Sequence, residues 1–186
     1  MAAVSGTSRH PLTPHATSPQ TAAERLVVEV ARGEQDCLQL NFRLSGDIGA
    51  LLLPAPAASV RADGLWRHTC FEAFVAAAGS PEYWEFNFSP SGAWAAYHFT
   101  GYRAGMRPVV EAGAPVVSSE TGAADFTLTA RLDLGWLMRS RAESGLRLGL
   151  TAVIEDRERG LSYWALRHGA DKPDFHLADS FLVALA

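Results

Sequence analysis

The chain has 186 residues, 48% of them apolar and 19% charged, enough to bury a full core without disulfide or metal staples. Its net charge is −4 and Lys172 is its only lysine, so there is no basic stripe to follow a nucleic-acid backbone. No run approaches the ~20 apolar residues of a membrane-spanning helix, and the first residues lack the apolar core of a secretory leader. The expectation is a cytoplasmic protein that partners neither nucleic acid nor membrane.

In chain order, residues 1–23 are rich in Ser, Thr, Pro and Ala without periodicity. Residues 1–11 are therefore expected to be a flexible N-terminal tail, with 12–186 as one domain. LVVEVARG reads as a β-branched strand closed by Gly33, and Leu38, Leu40, Phe42 and Leu44 alternate with Gln39, Asn41 and Arg43 in the next. Pro54 and Pro56 break DIGALLLPAPAASV into an edge strand or an irregular connection. Two aromatic strands follow around the Gly79-Ser80-Pro81 turn, and Ser89-Pro90-Ser91-Gly92 turns into a third, AWAAYHF. PVVSSE, DFTLTARLDL, LRLGLTAVIED, LSYWALRH and SFLVALA complete the strands, with LGWLMRSRAES as one short helical turn. About nine to eleven short strands separated by turn signals predict an all-β antiparallel β-sandwich of jelly-roll or immunoglobulin-like type.

Chemistry concentrates between Arg61 and Phe99, where aromatics interleave with Glu72, Glu85, Asn87 and His98. Aromatic faces beside a few fixed polar groups suit a sugar ring or another small ligand, because rings stack and acceptors orient. The face that carries Trp66, Glu72, Glu85, Asn87 and His98 is the candidate site, with Arg61 positioned to neutralise a charged substituent. His168 ends a strand beside aromatics, as His98 does. The loop that follows presents Lys172, Asp174 and His176.

Other chemistries find less. Cys37 and Cys70 form no framework or zinc spacing, and no HxH or HxxxH pair supports a metal. There is no GxSxG, and the acid near Cys70 opposes a reactive thiolate. Glu72 and Glu85 would serve as a glycosidase pair only with carboxyls ~5–9 Å apart. Haem would need Met106 or Met138 with His98 or His176 as axial groups, and no CxxCH allows covalent attachment. No cofactor is expected, haem being the alternative to consider.

GLWRHTCFEAFV, YWEFNFSPSGAWAAYHF with GYR, LSYWAL and KPDFH together resemble the DOMON-like group of bacterial proteins, related to the family 9 carbohydrate-binding modules. The similarity runs from about residue 12, at LTPH, to 186. It implies a β-sandwich whose relatives bind sugars or haem, without established catalysis. In the sugar-binding relatives a ring lies between tryptophans, which by position implies Trp66 and Trp164, over a polar floor of Glu72, Glu85 and Asn87. The haem-binding relatives use Met with His or Lys, and no Met here is clearly placed for that. The resulting expectation is a non-catalytic domain that binds a small molecule, a carbohydrate, with haem-based electron transfer and glycosidase-like activity as alternatives.

Overall fold

The alternation read in the sequence becomes burial in space. Leu38, Leu40, Phe42 and Leu44 are all buried, while Arg43 between them is exposed. A computed structural model describes residues 5–33, 36–110, 113–140 and 145–185. Twelve strands lie within them: β1 (Ser5–Pro14), β2 (Ala23–Arg32), β3 (Cys37–Gly46), β4 (Cys70–Ala77), β5 (Tyr83–Phe88), β6 (Trp94–Phe99), β7 (Arg107–Pro108), β8 (Val116–Thr121), β9 (Asp125–Asp133), β10 (Leu146–Asp156), β11 (Gly160–Ala165) and β12 (Val183–Leu185). The helix α1 (Gly135–Ser140) occupies the predicted helical stretch, whose residues 141–144 lie outside the described ones.

The strands follow one hydrogen-bonded path, β7-β6-β5-β4-β10-β11-β1-β2-β3-β9-β8, with β12 added to β10. Every pairing between these strands is antiparallel. The all-β antiparallel expectation stands. The strands number twelve, and they form a continuous sheet curled into a half-barrel.

Curling brings the concave surfaces of the two halves together. Phe71 of β4 packs against Phe42 of β3 at 5.1 Å and stacks on Phe126 of β9 at 5.8 Å between ring centroids. Leu148, Leu150, Trp84, Phe86 and Trp164 join the same core.

Within the stretch expected to be a flexible tail, the structure places β1 from Ser5 onward; residues 1–4 lie outside the described ones. Ser5 to Leu12 pair with β2, and Thr13 and Pro14 pair with β11, so β1 bridges the two halves of the sheet. Its described side chains are mostly exposed, Leu12 being the buried apolar exception. Backbone hydrogen bonds hold it, and these leave no hydrophobic alternation to read.

The convex face of β4, β5, β6, β10 and β11 carries a second layer. Phe74, Tyr83, Tyr97 and Phe99 on these strands are covered by Phe175 and Phe181 from the C-terminal segment, and Trp66 packs at their edge. Gly149 on β10 makes room for this cover. A Cβ there would lie 2.4 Å from the Phe181 ring, which stacks on Phe74 at 5.7 Å. No helix among the described residues is long and apolar enough to cross a membrane.

Candidate functional site

The register of four strands places the polar residues in rows on the convex face. Thr151, Glu72, Asn87 and Ala95 form one row across β10, β4, β5 and β6, and Gly149, Phe74, Glu85 and Tyr97 form the next. Glu72 and Glu85 are thus diagonal neighbours on adjacent strands, a placement that sets their backbones roughly 7–8 Å apart. Both carboxyls are buried, at 2% and 5% exposure.

Their environments differ. Thr151 Oγ1 donates to Glu72 Oε2 at 2.9 Å, and Asn87 Nδ2 donates to Glu85 Oε1 at 2.7 Å. Burial is the main force raising the Glu72 carboxyl to about 8, and the charge of Glu85 adds to it against the Thr151 bond. Burial also raises Glu85, partly offset by Asn87 and Arg103.

Above them lies a cavity of about 430 Å³. Its floor holds Glu72, Glu85 and Phe74, and its walls are Trp66, Phe99, Val153, Tyr163 and Phe175. Arg103, Met106, Pro173 and His176 complete the lining.

A clasp fastens the C-terminal segment over this face. Asp174 accepts from Arg103 at 2.9 Å and from the Tyr102 hydroxyl at 2.5 Å, while the backbone N–H of His176 donates to it at 3.1 Å. Tyr83 Oη lies 2.8 Å from His176 Nδ1 and accepts from the Arg103 N–H at 3.1 Å. With Tyr83 donating to Nδ1, the proton of neutral His176 sits on Nε2, which faces Glu85 Oε2 at 4.0 Å. Burial, aided by Arg103, lowers His176 to about 4, so the ring is neutral at physiological pH.

The predicted residues divide accordingly. Trp66, Glu72, Glu85 and His176 line the cavity. Asn87 is fully buried beneath it and fixes Glu85. Asp174 anchors the clasp, whereas Lys172 is exposed and outside the lining. Arg61 pairs with Asp63 at 2.8 Å and lies over the Tyr97 ring at 5.5 Å, beside the cavity without lining it.

Three predicted residues lie away from the cavity. His98 pairs in register with Trp84, packs on its ring at 5.1 Å and faces the concave side, so Tyr97 shares the face of Glu85. Trp164 lies in the concave core, its Nε1 donating to Ser162 Oγ at 2.9 Å, and Tyr163 reaches the cavity instead. His168 sits at the edge of β1, its Nε2 2.9 Å from the Thr13 carbonyl and its ring 4.8 Å from His15. The sequence reading omitted Phe74, Phe99, Arg103, Met106, Tyr163 and Phe175 from the site. Phe74 and Tyr163 were within reach of strand alternation, but the loop residues carried no periodic signal.

No group of three or more His, Cys, Asp or Glu among the described residues is arranged to hold a metal ion. No family model and no curated protein matches the chain. Among solved structures it is similar to a "putative carbohydrate-binding protein" of Bacteroides uniformis, with a TM-score of 0.64 and 15% sequence identity over 95% of this chain and 84% of that one. At that identity the likeness establishes a shared fold.

Proposed function

We propose that this chain binds a small carbohydrate in the convex-face cavity, as a DOMON-like domain related to the family 9 carbohydrate-binding modules. The observation that carries the reading is two buried carboxyls forming the floor of an aromatic-walled cavity of about 430 Å³. That volume falls in the range of small-molecule sites, about 300–1,000 Å³. The fold it shares with the Bacteroides uniformis protein supports the reading.

In this scheme Trp66 and Tyr163 supply stacking faces and Glu72 and Glu85 bind hydroxyls. Asn87 positions Glu85, and His176 Nε2–H donates from the clasp. Each stacked ring contributes on the order of 1 kcal/mol, which sets a monosaccharide at micromolar to millimolar affinity.

The haem alternative has one observation in its favour: Met106 and His176 line the same cavity. The floor opposes it, because two buried carboxyls would face a largely apolar macrocycle. The donor set fits a polar ligand better than haem.

Calorimetric titration with a panel of mono- and disaccharides tests the proposal. Binding that Trp66→Ala weakens at least about tenfold, or about 1.4 kcal/mol, is the expected result. A panel that neither binds nor shifts the melting temperature overturns it, and a Soret band in the purified protein would favour haem.

A further inference from the structure

Among the described residues, the carboxyl pair on the cavity floor has no cation of its own. The titratable groups that face it among the described residues are Cys70 from its own strand β4, Tyr83 from β5, Tyr97 from β6, Tyr163 from β11, Arg103 from the β6–β7 connection, and Asp174 and His176 from the C-terminal segment. Arg103 is the one fixed positive charge in this set, and it is committed to Asp174 at 2.9 Å. His176 approaches Glu85 only to 4.0 Å.

The hydrogen bonds of the two carboxyls show the same deficit. Glu72 is 2% exposed, yet among the described residues only its Oε2 has a partner, Thr151, and the residue lines the cavity. Glu85 likewise has one oxygen on Asn87 and turns the other toward His176 beyond hydrogen-bond distance. A buried floor of carboxylate oxygens with free lone pairs offers acceptors to a ligand that arrives with several donors.

A protonated amine has three N–H donors, no acceptor, and the charge the floor lacks. The aromatic walls reinforce this, because Trp66, Phe99, Tyr163 and Phe175 present π-faces and edges that favour a desolvated cation. A neutral sugar hydroxyl supplies one donor and brings no charge to the floor.

We infer that the ligand of this cavity carries a protonated amino group, held by Glu72 and Glu85, so that the favoured sugars are amino sugars. The inference rests on the carbohydrate reading for the sugar ring and on the floor itself for the amine. At neutral pH the pair retains a proton, which an entering ammonium displaces into solvent.

The test is calorimetric titration of the full chain at pH 7 and fixed ionic strength with glucosamine, N-acetylglucosamine, glucose and ethanolamine. Glucosamine is expected to bind about tenfold or more tighter than glucose and N-acetylglucosamine, equivalent to about 1.4 kcal/mol. Glu72→Gln and Glu85→Gln, each first checked for a cooperative melt, should each collapse that preference. Titration in buffers of different ionisation enthalpy should show proton release with glucosamine alone among the sugars. Equal binding of the three sugars overturns the inference and leaves the carbohydrate site standing. Binding of ethanolamine without any sugar supports the amine and overturns the carbohydrate reading. Binding of none overturns both.

Discussion

Replacing Glu72 with Gln should stabilise the protein, and increasingly so as the pH rises. Glu72 is buried beside Glu85, and its carboxyl is raised from 4.5 to about 8. A carboxyl raised in the folded state favours folding through its protonated form. That contribution is complete below about 4.5 and is lost as the pH climbs through about 8. The displacement corresponds to at most about 5 kcal/mol above pH 8. Water entering the cavity eases the charge, so a gain of about 2 kcal/mol is expected, or roughly 4–8 °C for a chain of this length. Gln retains the shape and a carbonyl to accept from Thr151, so packing is preserved. Thermal melts of both proteins from pH 4.5 to 8.5 make the comparison. The melting temperatures should nearly coincide at the acid end and separate toward pH 8.5 with the variant higher. A constant difference, or a variant less stable at pH 8.5, would refute the buried-pair reasoning.

His176 gives the opposite slope. Its ring is lowered from 6.5 to about 4 by burial, so stability present above 6.5 is lost as the pH falls toward 4. His176→Gln should remove about 1–2 kcal/mol of that acid loss, seen as a smaller drop in melting temperature between pH 7 and 4.5. Gly149→Ala pushes a Cβ into the Phe181 ring and should cost about 1–3 kcal/mol in denaturant unfolding. The same change in a Phe181→Leu background should cost less, and equal costs would mean that the contact is not the cause. Trp164→Phe should lower stability by about 1 kcal/mol or more through the lost hydrogen bond to Ser162 and lost volume, with sugar affinity unchanged. A selective loss of sugar binding in that variant would return Trp164 to the site.

Much of this site was legible because strands alternate with a period of two. Glu72 and Phe74 share a face, as do Glu85 and Asn87, and the two strands are joined by a short turn. His98 failed at the next step. The pairing of Phe88 with Trp94 sets Asn87 opposite Ala95 and Glu85 opposite Tyr97, and a slip of one residue would exchange His98 for Tyr97. The loop Ser89–Ala93 determines that register, through details that side-chain patterning does not encode.

Trp164 was legible in principle. Its cross-strand neighbour Ala152 belongs to the apolar face of β10, so the core claims it and Tyr163 turns outward. The clasp was not legible. Asp174 meets Arg103 and Tyr102 across some seventy residues of sequence, and His176 meets Tyr83 across ninety-three, in segments without periodicity. The N-terminal strand escaped for a related reason, since its order comes from backbone pairing with β2 and β11.

The chain holds five tryptophans, and in this structure Trp66 alone among them lines the cavity. Nitrogen-15 labelling of the indoles turns that placement into a direct reading of where a sugar binds. On titration with a binding sugar, the Trp66 indole signal is predicted to move, while Trp84, Trp94, Trp136 and Trp164 hold their positions. Movement of the Trp164 signal with Trp66 unchanged would contradict the account.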